Sequence, residues 1–298
     1  MNLTKRAAFL GSLAVLAGGL AGTSVATATT TAPATPCSMS LYSVSPQGTL
    51  DGNGITATKP PQNTSNLGGQ KFTPGAVKAM TYWEAVLGTD GTVTSSALAV
   101  VGTTLTSQVL QPNGTLLQSN IGGGWGDYKS VNLSIWQKYL GSIEGHTNFY
   151  GLTNTGTITR WAPGKTWKKT GTYTGFASVK TLTLISQTAT YDTFLANLRG
   201  GGLYTIQIPL ASTSKTIVKQ VRGSGWDTYD SLVAERCGQK GVLLTAIDKE
   251  TGGAKLFAVG HATGTTTVIQ DLGKLPGTLK NPVYSLVAYD AAGNFNGE

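Results

Sequence analysis

The sequence predicts an all-β chain of short strands and tight turns, and three observations carry that expectation. Charged residues make up 12% of the 298-residue chain while glycine alone contributes 40, against a usual charged share of ~25%. No window of three turns sets apolar residues at i, i+3, i+4 and i+7, whereas period-two alternation bounded by Gly and Asn recurs throughout. One phrase, Gly-x-Gly-Trp-x-x-Tyr-x-Ser-apolar, occupies 122–131 and returns at 223–232. Two long matches call for a search for a shorter period.

Ser130-Val131 serves as the marker for that search. Residues 171–179 hold a partial copy, with Tyr173 aligned to Trp125, Phe176 to Tyr128, and Ser178-Val179 to the marker. Weaker copies run over 72–80, with Ala79-Met80 in register, and 279–286, with Ser285-Leu286 in register. Markers at 79, 130, 178, 231 and 285 are spaced 51, 48, 53 and 54 residues apart. Within each period the strand pattern also repeats. The first period gives strands over 80–87, 97–101, 104–110 and 115–121; the second gives 131–136, 149–152 and 157–161. The third gives 179–185, 194–198, 203–208 and 215–221, and the fourth 232–233, 242–247 and 255–259. Four strands in about fifty residues is the pattern of a propeller blade, so the expected fold is a five-bladed β-propeller.

The fifth period stops after one strand at 286–290, and its missing part lies at the other end of the chain. Residues 41–50 resemble 149–158, so N-terminal strands are expected to pair with the C-terminal strand and close the ring. Such closure leaves no open sheet seam. It also puts Cys37 in the last blade and Cys237 in the blade before it. Residues 1–28 read as a secretory signal peptide: Lys5 and Arg6, an apolar run over 7–20, and an A-x-A site at 26–28. Residues 29–36 read as a disordered leader and 37–298 as a single β-propeller domain. In an exported protein the two cysteines favour a Cys37–Cys237 disulfide over two buried thiols. The apolar run is too short for a stable membrane anchor. Removing Lys5 and Arg6 lowers the net charge from +8 to +6. The densest basic cluster, Lys165, Lys168 and Lys169, is too small for a nucleic-acid groove.

The Gly-Gly-Trp-x-x-Tyr/Phe phrase, followed by a hairpin of the Leu-Tyr-x-Val type, resembles the tachylectin-type five-bladed β-propeller lectins. The likeness runs from Cys37 to the end; it is best at Trp125–Tyr128 and Trp226–Tyr229 and weaker in the other repeats. It implies metal-free binding of glycans bearing N-acetylglucosamine or N-acetylgalactosamine at blade junctions; together with the signal peptide, the expectation is a secreted, monomeric protein without a cofactor. The site residues it implies are Gly124, Trp125, Asp127 and Tyr128 in one repeat and Gly225, Trp226, Asp227 and Tyr229 in the other. Physically, an indole can pack on the apolar face of a pyranose while carboxylates and backbone N–H groups meet its hydroxyls. The competing reading makes the same rings blade-to-blade core.

Two other functions stay open on the residues. A propeller glycoside hydrolase needs paired carboxylates in the funnel, and the acids available (Glu84, Asp90, Asp127, Glu144, Asp192, Asp227, Asp230, Glu235, Asp248) show no such spacing. Glu84 is the one placed beside aromatics on an expected inner strand. His146 and His261 make neither a triad nor a zinc site, and 290–296 has only a faint calcium-loop look. A protein-interaction propeller without sugar binding would instead show an exposed apolar patch.

Overall fold

A computed structural model describes residues 36–139, 141–211 and 215–289. The expected signal peptide, all of the leader except Pro36, and the 290–296 loop lie outside the described residues. Within them the regular structure is 21 strands and one 3-10 turn, Gly264–Thr266, with no α-helix.

The strands form one nine-stranded sheet and three of four strands, and dividing the large sheet at its parallel contact, between Val283–Ala288 and Trp83–Leu87, leaves five antiparallel groups. The first holds β4 (Val77–Met80), β5 (Trp83–Leu87), β6 (Val93–Val101), β7 (Thr104–Leu110) and β8 (Leu116–Gly123). The second is β9 (Tyr128–Gln137), β10 (Gly145–Thr153), β11 (Ile158–Ala162) and β12 (Lys168–Tyr173). The third is β13 (Val179–Gln187), β14 (Tyr191–Leu198), β15 (Leu203–Pro209) and β16 (Ile217–Arg222). The fourth is β17 (Ser231–Cys237), β18 (Gly241–Ile247), β19 (Ala254–Val259) and β20 (Ile269–Lys274). The fifth joins both ends of the domain: β21 (Val283–Ala288) pairs with β1 (Ser38–Val44), followed outward by β2 (Leu50–Thr56) and β3 (Gln62–Asn66). The β1–β21 ladder runs from Ser40↔Val287 to Val44↔Val283, which is the expected pairing of the chain ends.

The expected single strand over 80–87 is broken. Thr81 supplies its hydroxyl, not its carbonyl, to the Leu98 N–H at 3.0 Å, while its own N–H donates to the Leu98 carbonyl. The chain steps sideways there, and β5 gains a short parallel pairing with β21, Val287↔Trp83 and Ala288↔Glu84. The first and fifth groups therefore form one continuous nine-stranded sheet.

The repeated phrase explains how the groups join. Just before each innermost strand, one large apolar residue donates its N–H to a turn of the preceding group. Phe72 donates to Gly48, Trp125 to Thr103, Phe176 to Gly156, Trp226 to Gly201 and Leu279 to Gly252, all at 2.9–3.1 Å. All five side chains are buried. Phe176, not Tyr173, is thus the counterpart of Trp125: Gly124, Gly175 and Gly225 precede the plug at φ 89°, 94° and 90°. Tyr173 ends β12 in the outermost layer, so the sequence alignment was offset by three positions. The receiving turn needs glycine as well, since a Cβ on Gly156 would lie 2.1 Å from the Ala177 nitrogen.

Lysines add a second link. Lys78 donates to the Gly126 carbonyl, Lys129 to Val179 and Lys180 to Asp227, each reaching the next group at 2.6–3.2 Å; Lys249 reaches Pro282. Innermost strands β4, β9, β13, β17 and β21 contact one another in that order, and β21 contacts β4 again. Between the groups lie apolar layers such as Tyr150, Leu152, Leu182, Phe194, Leu243 and Leu286; each buried Leu or Phe contributes about 1.5–3 kcal/mol. The Cys37–Cys237 disulfide ties the fifth group to the fourth.

Candidate functional site

The junction between the first and second groups opens into a cleft of about 390 Å³. One wall is main chain, Ile121 to Gly124 at the end of β8; the other is Tyr128, Trp161, Lys165, Thr166 and Trp167, with Trp125 at the back. A Cβ on Gly122, Gly123 or Gly124 would meet nothing within 4 Å, so this wall presents bare peptide groups to the opening.

Five aromatic rings meet here. Trp125 lies 4.8 Å from Tyr128, 5.3 Å from Phe149, 5.3 Å from Trp161 and 6.2 Å from Trp167. Trp125 itself is only 6% exposed and acts as the plug and back wall. The half-buried rings that face the opening are Tyr128, Trp161 and Trp167. Buried Thr159 fixes two of them: its hydroxyl accepts from Trp161 Nε1 at 3.1 Å and shares a 2.9 Å hydrogen bond with the Tyr128 hydroxyl. Gly151 lets the Tyr128 ring lie against β10, since a Cβ there would sit 2.3 Å from the ring. Lys169 places its ammonium 5.8 Å from the Trp161 ring centre.

Of the residues picked from the sequence, Gly124, Trp125 and Tyr128 come together in this cleft. Asp127 does not line it; its carboxylate accepts from Asn154 Nδ2 at 3.0 Å, and its carbonyl from the Asn154 N–H. The junction of the third and fourth groups is built differently. Trp226 packs on Tyr229 at 5.5 Å and Phe257 at 4.9 Å. Phe257 takes the strand position that Trp161 holds in β11 and is buried at 7% exposure. Arg222 donates across to the Thr267 carbonyl beside the 3-10 turn. Gly225 forms the turn before the plug, and Asp227 spends its carbonyl on Lys180. Trp161, Trp167, Lys165, Thr166 and Thr159 were missed; the available signal was two tryptophans flanking Pro163-Gly164 in one hairpin.

Among the described residues three acids are raised, none of them by a second carboxylate. Burial raises Glu84, pushes Asp192 up to about 6 and Glu235 up to about 7, and in each case desolvation, not a second carboxylate, is the cause. Asp192 sits between the second and third groups, accepting from Ser134 Oγ and the Tyr150 hydroxyl at 2.7 Å each. Among the described residues no three or more His, Cys, Asp or Glu side chains gather as a metal site, and no helix is long and apolar enough to cross a membrane.

No protein-family model matches the chain, and no curated protein matches it. Solved structures overlap it at low identity. The SapL1 lectin in complex with alpha methyl fucoside shares 11% identity and a TM-score of 0.44, covering 78% of each chain. The fucose-specific lectin from Aleuria aurantia shares 11% and 0.44, covering 81% of this chain and 83% of its own. The periplasmic gluconolactonase of Pseudomonas aeruginosa shares 9% and 0.39, covering 85% and 99%. Overlap at this level decides neither a blade count nor a ligand, so both rest on the chain's own geometry.

Proposed function

We propose that this chain is an exported five-bladed β-propeller that binds carbohydrate and carries out no chemistry on it. Five repeats of the plug hydrogen bond, each linking one group to the next, support the blade count. The observation that carries the function is the cleft at the first junction. Two half-buried tryptophans and a tyrosine, with Trp161 and Tyr128 held by one threonine, face a wall of bare glycine backbone. Rings of this kind cover the C–H face of a sugar while peptide groups meet its hydroxyls. The disulfide fits an oxidising compartment, as does the signal peptide read at 1–28. N-acetylated sugars are the ligands implied by the tachylectin resemblance.

The test is retention on immobilised N-acetylglucosamine, N-acetylgalactosamine and methyl fucoside, together with a glycan array. Trp161→Ala and Trp167→Ala should each lose retention while keeping the native circular dichroism spectrum. Trp125→Ala should instead destabilise the fold by about 3–5 kcal/mol as a core truncation. Absence of retention on every saccharide by the unaltered protein would end the reading. One observation favours a protein partner: Val86, Leu87, Tyr139, Ile143 and Tyr289, near the ends of β5, β9 and β21, are all more than half exposed. Saccharide retention unaffected by Trp161→Ala, with loss of partner capture on Ile143→Asp, would support that alternative.

A further inference from the structure

The innermost strands surround a second, smaller space, a polar channel of about 110 Å³. Lys78, Lys129, Lys180 and Lys249 line it, against a single lining carboxylate, Asp230. Both oxygens of that carboxylate are already committed: Oδ1 pairs with Lys180 Nζ at 2.9 Å and Oδ2 accepts the Lys249 N–H at 3.1 Å. Lys78, Lys129 and Lys249 donate only to carbonyls, which are neutral. A carbonyl satisfies one donor of an ammonium and leaves its charge and two further donors unspent. The lining therefore holds four ammonium groups against one carboxylate, and that carboxylate is shared between Lys180 and Lys249.

The surroundings offset that charge only in part. Burial lowers the pKa of Lys129 and Lys249; at Lys129 the neighbouring Arg199 pushes in the same direction and Asp127 opposes both more weakly, and at Lys249 Asp230 opposes burial more weakly. The Asp127 carboxylate is held by Asn154, and Asp248 by Thr251 and the N–H of Glu250. Hydroxyls of Ser130, Thr181 and Ser231 lie in the same lining. Lys129 and Lys249 are partly desolvated and Lys78 is exposed; cations with spare donors, close to hydroxyls, are the elements of an oxyanion site.

We propose that the lysine-lined end of the channel binds a small oxyanion, a phosphate group or the carboxylate of an acidic sugar, through Lys78, Lys129 and Lys249. The site is separate from the aromatic cleft and does not depend on it. The test is calorimetric titration of the intact protein with sodium phosphate and, separately, sodium glucuronate, each against sodium chloride at matched ionic strength. The expected result is a dissociation constant of about 1 mM or tighter for at least one anion, weakened about tenfold or more in Lys129→Gln/Lys249→Gln. Phosphate alone would identify a phosphoryl ligand, and glucuronate alone an acidic sugar. Because these lysines also link neighbouring groups, the unaltered protein supplies a second readout. The bound anion should protect Lys129 and Lys249, but not Lys165, from acetylation as followed by mass spectrometry. Chloride-like behaviour of both anions, or protection that does not distinguish these lysines, would overturn the proposal.

Discussion

Thr159 carries two of the three half-buried aromatic groups of the cleft, because Tyr128 and Trp161 both spend their polar atoms on its hydroxyl. Thr159→Val keeps the shape and removes the shared partner. Retention on saccharide should fall about tenfold, near 1.4 kcal/mol, as the rings lose their fixed pose. The thermal midpoint should move little, since both rings can turn their polar atoms to water; a large drop would show that Thr159 serves the fold and not the cleft. Asp192 and Glu235 carry a different effect. Their folded-state pKa values lie near 6 and 7, above the ~3.9 and ~4.3 of the unfolded chain. Between pH 5 and 8 the native state thus binds more protons than the unfolded one, and stability falls as pH rises through these values. His146, lowered by burial, works in the opposite direction at the acid end. The net expectation is a loss on the order of 3 kcal/mol from pH 5 to pH 8, read from denaturant melts and flattened in Asp192→Asn/Glu235→Gln.

At the scale of the element, the plug and its receiving turn behave as one unit. Gly156 holds φ 84°, and a Cβ there would collide with the backbone of residues 176 and 177. Gly156→Ala should cost more than the ~1 kcal/mol of backbone strain alone, because the second and third groups must separate to admit it. Gly91→Ala, at a similar φ of 79° but with nothing within 4 Å, is the control; equal melting shifts would refute the docking role. The same unit shows what the sequence could reveal. Inner and middle strands were legible as apolar runs because each group packs between two neighbours and buries both faces of these strands, as in β14 and β18. Outer strands were faint: β3 reads Gln-Asn-Thr-Ser-Asn and is almost wholly exposed. The Gly-Trp phrase was legible as a repeat but not as a plug, since its role lies in a backbone bond to a turn more than twenty residues earlier. The cleft was legible only in part, because Trp161 and Trp167 approach Trp125 through tertiary packing.

For the whole molecule the question is what keeps the ring closed. Two devices join the ends, the β1–β21 ladder and the Cys37–Cys237 bridge. They act on different states. The disulfide, spanning 200 residues, restricts the unfolded chain and contributes up to about 4–5 kcal/mol on the entropy account. The ladder covers the edge of β21 that faces away from β5: without it Val283, Leu286 and Val287, all buried, would sit on a strand with one bare edge. Exposed hydrophobic edges template pairing with other chains. Cys37→Ser/Cys237→Ser should therefore fold and scatter light as the unaltered protein does, with a lower denaturant midpoint and a steeper slope, because the unfolded chain freed of its bridge exposes more surface. A chain lacking residues 36–66 should instead associate, because it retains β21 and has lost its partner. Light scattering of the two variants at equal concentration separates the cases. If the cysteine variant associates while the shortened chain stays monomeric, closure rests on the covalent bridge and the strand exchange is incidental to it.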